Sequence, residues 1–321
     1  MNNEPSLRPF FIVGSPRSGT TLLRFMLSSH SRLYVPDETG FLPFLRCDPD
    51  RLLEVTGVKQ VLQRIGQLNR FWQGMVTDVA AFRDTLPEPR LPYLLDALYR
   101  QHCLPQRMAR WGDKTPLYVR YIPQLLAIFP EAQIIHIVRD GRDAALSARA
   151  KWGEANRYMD IYYLLRNWQR NVRAGQAARL TLPATNYFSL HYEALVAQPE
   201  THLRQICEYL GESFEPALLD HTALARQVGS GIDQHVEVQA DLHGTSVDRW
   251  RCEMTPFEKR LADDLVGETL QEAGYPLADA GSMTSADRLR MAALAAKFGL
   301  TDTTRTLLYR SGILTLNRNR R

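Results

Sequence analysis

Phe10–His30 reads FFIVGSPRSGTTLLRFMLSSH, and the fold follows from it. Phe10–Val13 is an apolar run of the kind that forms a buried strand. Gly14–Gly19 is a tight turn rich in Gly, Pro and Ser. Thr20–Ser29 then carries Leu22, Leu23, Met26 and Leu27 at helical spacing. Strand, turn and helix in that order build an anion cradle. The turn's backbone N–H groups and the unpaired donors of the helix N-terminus converge where the helix dipole is positive. A plain turn joining a core strand to a core helix would not need the polar cluster Arg17, Ser18, Thr20 and Thr21.

The turn, G-S-P-R-S-G-T-T, follows the nucleotide P-loop pattern G-x-x-x-x-G-K-[ST] at every position but one. Thr20 stands where that pattern has lysine, and a cation sits earlier, at Arg17. A nucleoside triphosphatase needs that lysine on its transferred phosphates. The change keeps phosphate binding and weakens the case for ATP chemistry.

The 321 residues allow one large α/β domain or a domain with a cap, and a hydrophobic share of 45% is ample for its core. A net charge of +4 fits a small anionic ligand and does not call for nucleic acid. Cys47, Cys103, Cys207 and Cys252 form no C-x-x-C pair, which argues against a zinc site or disulfide scaffold and suits a reducing compartment. The N-terminus has no basic region leading into an apolar stretch, and no run approaches the ~18 apolar residues of a membrane span. The expectation is a cytoplasmic protein with no membrane span.

Outward from the cradle, Arg32–Val35 reads as a short strand and Pro36–Gly40 as a loop. Residues 50–105 read mostly as helices broken at Pro87, Pro89 and Pro92, a helical insertion (about 48–108) that would cap the site and choose the substrate. Arg110–Pro116 reads as a polar turn before a helix Leu117–Phe129. Gln133–Val138 is the best buried strand, ended by Arg139–Asp140–Gly141 and a helix to about Lys151. Two strand–turn–helix units joined by helices imply a parallel sheet with helices on both faces. Ligands then bind beyond the carboxyl ends of the strands. Further on, 157–181 is a long helix and Asn186–Leu190 a strand. Helices are expected at 199–210, 214–226, 255–273 and 284–316, with a long loop over Gln227–Val247. The whole reads as a P-loop-type three-layer α/β/α domain with a central parallel sheet over 1–275. A helical extension follows over 276–321, either a homodimer interface or a lid.

PRSGTT after a strand, followed by Leu22–Leu23–Arg24, resembles the 5′-phosphosulfate loop of sulfotransferases that use PAPS (3′-phosphoadenosine 5′-phosphosulfate). Its form is similar to that of the tyrosylprotein sulfotransferases and the bacterial enzymes like them. The resemblance is strongest over about 9–40 and 110–151, and weaker near 187–196 and 244–275. It implies sulfuryl transfer from PAPS, leaving PAP, to a hydroxyl on a tyrosyl peptide, a carbohydrate or a small metabolite. Such transfer needs no metal in principle, because the sulfuryl group carries less charge than a phosphoryl group. Arg17, Ser18, Gly19, Thr20 and Thr21 would hold the 5′-phosphosulfate. Arg17 would also stabilise the bridging oxygen, a contact worth on the order of 2–4 kcal/mol of barrier.

Asp37–Glu38 is a carboxylate pair straight after a strand, on the rim of the cradle, and two adjacent carboxylates can raise one another's pKa. The family's Glu-Glu-Thr falls here on Asp37–Glu38–Thr39, which makes Glu38 the expected general base. An Asx-type turn of solvated acids is the alternative. By resemblance Lys114, in GDKTP, contacts the sulfuryl group; otherwise it caps a turn. Arg139 and Ser147 match the family's 3′-phosphate site, and both can face one anion near a helix N-terminus. Arg142 and Asp143 read as an exposed ion pair. Tyr192, in HYEALV, resembles the Tyr that touches the nucleotide, although Ala194 replaces the usual Asp. Ser246 and Arg249 fall where the family closes a loop over the cofactor, and Trp250 reads as a packing anchor. Sulfotransferases of small phenols use His as base, but His136 lies inside an apolar strand and His30 follows a helix, so neither displaces Glu38. The rival readings are a P-loop kinase or nucleotidase, and a non-catalytic nucleotide-binding protein.

Overall fold

The computed structural model describes residues 7–45, 47–69, 72–103, 108–153, 159–220 and 246–310. Strands β1 (Phe10–Gly14), β2 (Leu33–Tyr34), β3 (Arg110–Lys114), β4 (Gln133–Val138) and β5 (Tyr187–His191) form one five-stranded sheet in the order β2-β3-β1-β4-β5. All its pairings are parallel. β1 and β4 are buried along their whole length, as central strands covered on both faces must be. Alternation along β1 divides the core. Phe11 and Val13 join a cluster beneath α2 (Val55–Leu68) and α4 (Leu91–Cys103). Phe10 and Ile12 join one with α1 (Thr20–Ser28) and α9 (Pro199–Leu210).

β3 corrects the sequence reading of 110–116 as a turn. Arg110–Lys114 carries no apolar run, yet it pairs with β1 and places Gly112 opposite Phe10. A Cβ at Gly112 would lie 2.5 Å from the Phe10 ring, so only glycine lets that ring sit against the strand. Trp111 stacks on Tyr99 of α4 with ring centroids 3.8 Å apart. Arg110 donates to the carbonyls of Arg8 and Leu210. A strand whose polar side chains all find partners stays a strand without a hydrophobic signature.

Other boundaries shift for local reasons. The stretch after β3 is a 3₁₀ segment, Pro116–Tyr121, leading into a short α5 (Ile122–Ile128) rather than one continuous helix. Of the helix expected over 214–226, Pro216–Leu219 forms a 3₁₀ turn, and residues 221–226 lie outside the described residues. The loop expected over 227–247 likewise lies outside them, apart from 246 and 247.

The remaining helices are α3 (Val79–Asp84), α6 (Gly141–Trp152), α7 (Ile161–Thr181), α8 (Tyr192–Ala197), α10 (Trp250–Glu253), α11 (Pro256–Glu272) and α12 (Ser285–Arg310). A third core cluster unites α6, α7, α10 and α11. α12 packs on this layer through Phe298, whose ring sits 5.7 Å from those of Tyr162 and Tyr163. Among the described residues no helix is long and apolar enough to cross a membrane.

Candidate active site

The Gly14–Gly19 turn lies at the carboxyl end of β1 and opens α1. No side chain caps α1 and no acid sits in its first turn, so its free N–H groups and positive dipole end face the turn. Gly19 has φ +88°, and a Cβ there would lie 2.3 Å from the Tyr192 ring; both demands select glycine. Arg17 holds φ +68°, a strained value for a side-chain-bearing residue. In that conformation Arg17 Nε donates to Ser147 Oγ at 3.0 Å, linking the turn to α6.

Arg139 ends the strand run of β4 and is buried. Its Nη1 donates to the Arg17 carbonyl at 2.9 Å and its Nη2 to the Ser246 carbonyl at 2.6 Å. Its guanidinium lies 4.6 Å from the Tyr192 ring centroid, and Tyr192 Oη is 2.7 Å from Ser246 Oγ. Ser18 Oγ and Arg139 Nε are buried with no hydrogen-bond partner among the described residues. Orphaned donors of this kind, beside a helix N-terminus, suit anionic oxygens that the protein does not itself supply.

On the other side of α1, Lys114 ends β3 almost fully buried. Its Nζ is 2.7 Å from Glu38 Oε1 and donates to Thr21 Oγ1 at 3.4 Å. The neighbouring acid goes elsewhere: Asp37 pairs with Arg24, whose Nε also donates to the Val35 carbonyl at 3.1 Å. Each carboxylate of Asp37–Glu38 therefore faces its own cation. The mutual repulsion expected from their adjacency in sequence is not the arrangement found.

Arg142 and Asp143 do not form the exposed pair read from the sequence. Arg142 is fully buried, forks onto Asp140 at 3.0 and 2.7 Å, and lies 3.5 Å from the Trp250 ring centroid. Asp143 is buried too and accepts the Asp248 and Trp250 N–H groups, each at 2.8 Å. It thereby clamps the 246–250 strap over Arg139. Burial pushes its carboxyl up to about 6. The sequence offered a signal for this, since charged residues in the first turn of a core helix must find partners. Trp250 is the packing anchor expected of it. Arg249 pairs with Glu253 at 2.7 Å. His136 is a core residue whose Nδ1 lies 2.6 Å from Tyr187 Oη, with burial lowering its pKa to about 4. His30 is buried in the turn after α1, bonded to the Ser213 carbonyl at 2.8 Å.

A family model described as "Sulfotransferase family" matches residues 9–216, the span from β1 to the 3₁₀ turn after α9. The chain belongs to the sulfotransferase family. Protein-tyrosine sulfotransferase 1 of Danio rerio is 28% identical over 236 residues, which cover 72% of this chain and 61% of that protein. An uncharacterized protein of Aquifex aeolicus is 29% identical over 281 residues, 86% of this chain and 34% of its own. The chain thus spans about a third to three-fifths of the length of these curated relatives. Among solved structures, the sulfotransferase domain from the Synechococcus PCC 7002 olefin synthase superposes with a TM-score of 0.59 at 26% identity. That superposition covers 84% of this chain and 97% of the domain. The sheet and the cradle are therefore those of a sulfotransferase α/β fold.

Proposed function

We propose that the protein transfers a sulfuryl group from PAPS to a hydroxyl acceptor. The observation that carries the reading is the pairing of two polar clusters about one helix N-terminus. Arg17, Arg139, Ser147 and Tyr192 converge on one side of α1, and Lys114 with Glu38 on the other. The orphaned Ser18 Oγ and Arg139 Nε suit the phosphate oxygens of such a donor. When bound, PAPS supplies an activated sulfuryl group with PAP as leaving group. Arg17, Ser18, Gly19, Thr20 and Thr21 bind its 5′ end, and Arg139 and Ser147 its 3′-phosphate, with Tyr192 beside them. Arg17 and Lys114 oppose the charge that builds on the leaving and transferring oxygens. Glu38 takes the acceptor's proton.

A kinase reading is less well supported. Thr20 replaces the loop lysine, and Asp140, the acid at the β4 end, is occupied by Arg142. The helices over 55–103 are where we place acceptor choice, within a domain that runs to about residue 275. The free Cys47, Cys207 and Cys252 favour a reducing, cytoplasmic setting.

Calorimetric titration of PAP, with ADP as control, tests the donor. Wild type is expected to bind PAP tightly and ADP little, and Arg139→Ala to lose PAP. Equal binding of both nucleotides, or none of PAP, overturns the reading. Glu38→Gln should keep PAP affinity and lose ~10²- to 10⁴-fold in kcat on any acceptor the wild type sulfates.

A further inference from the structure

The residue before Lys114 is a carboxylate closed off from solvent. Asp113 is 0% exposed. Successive strand side chains point to opposite faces, so Lys114 reaches Thr21 of α1 while Asp113 reaches Tyr99 of α4. Asp113 Oδ2 accepts from Thr39 Oγ1 at 2.5 Å and from Tyr99 Oη; its Oδ1 accepts from Thr115 Oγ1 at 2.8 Å. The donors are themselves acceptors. Thr39 Oγ1 lies 2.9 Å from Tyr118 Oη, which takes the Leu42 N–H at 3.2 Å, and Thr115 Oγ1 takes the Gly40 N–H at 3.4 Å. Every proton in the network can point toward Asp113, as an acceptor-only centre requires. Burial pushes this carboxyl's pKa up, and the hydroxyls around it and Lys114 pull it back.

The segment pinned this way, 39–42, begins one residue after Glu38. The helical insertion grips the same place again. Asn69, at the end of α2, donates its Nδ2–H to the Glu38 carbonyl at 2.9 Å. Trp111, stacked on Tyr99, donates its Nε1–H to Asp96 of α4 at 2.8 Å. Both members of the Glu38–Lys114 pair thus hang from one buried carboxylate, Lys114 as its neighbour on β3 and Glu38 through Thr39.

Building on the reading of Glu38 as base, we propose that Asp113 is a positioning residue that sets the separation of Glu38 and Lys114. Through Tyr99 it makes that separation follow the seating of α4. An acceptor that shifts α4 then shifts the base.

Asp113→Ala would leave buried hydroxyls without their acceptor and is expected to unfold the chain. Thr39→Val and Tyr99→Phe are the informative variants, the second keeping its ring on Trp111, and a thermal melt establishes that each folds. Both are expected to lose ~10- to 100-fold in kcat, with the KM for PAPS and the affinity for PAP unchanged. Thr39→Ser, which restores the hydroxyl, should restore kcat. In a crystal structure of Thr39→Val the Glu38–Lys114 contact is expected to open from 2.7 Å to beyond ~4 Å. An unchanged contact in the folded variant overturns the proposal, whatever the rate does. If the wild type binds PAP but sulfates no acceptor, the reading of Glu38 as base fails instead, and the crystallographic distance alone decides whether Asp113 sets the pair.

Discussion

Gly19 shows how far a single residue can decide this site. Its φ of +88° and the Tyr192 ring against its Cα leave no room for a methyl group. Gly19→Ala should destabilise the fold by about 1–3 kcal/mol and displace Tyr192 from the turn. A urea melt together with a PAP titration checks both. Asp143 gives a prediction with a sign. Burial raises its carboxyl from 3.8 to about 6, outweighing the backbone donors of the strap. Between those values the folded chain keeps a proton that the unfolded chain has lost. Stability therefore falls as pH rises through that window and levels off above it. The Tm of the wild type minus that of Asp143→Asn should accordingly shrink from about pH 4 to about pH 6; a flat difference would refute it. At this scale what can be compared with the sequence is which residues come together: Arg17, Ser147, Arg139 and Tyr192 lie in one cluster, and Lys114 lies against Glu38. Asp113 and Asn69 were not legible, because Thr39 and Glu38, which they hold, lie 74 and 31 residues away, and Asp143 was misread because its partner Trp250 lies 107 residues on.

Strands were readable in proportion to their apolar content rather than their burial, since β3 is buried almost throughout. β1 is apolar throughout and β4 carries four apolar residues beside Gln133 and His136, and each matched its sequence run. β3 escaped because its side chains serve the polar network and its centre is a glycine, both of which lower any strand signal. The cost of that arrangement can be measured. Gly112→Ala forces the Phe10 ring from its seat, and a loss of about 1–3 kcal/mol is expected, read as a lower urea midpoint at unchanged m. The long helix expected over 117–129 failed for a comparable reason. Pro116 and Pro123 each remove a backbone donor, and the chain takes a 3₁₀ path between them.

At the scale of the whole molecule, α12 adds to the third core cluster through Met291, Leu294, Ala295 and Phe298. It packs on α7 through Phe298, the Lys297–Asp160 bond at 2.7 Å and the Arg170–Asp302 pair at 2.9 Å, and on α11 through the Arg260–Asp287 pair at 3.0 Å. Removing residues 284–321 is expected to lower Tm by baring Tyr162, Tyr163 and Phe257, while PAP affinity at low temperature stays that of the full chain. A melt and a titration on the truncated chain decide it.

The strand order has a consequence in time. β1 lies between β3, about a hundred residues later, and β4, later still, and the turn at its end is closed by Tyr192 and Ser246. The contacts from Arg17 to Ser147 and Arg139 span 130 and 122 residues, and distant contacts form slowly. During refolding, helical circular dichroism should return before the capacity to bind PAP. A nascent chain should acquire that capacity only after residue 246 has been made.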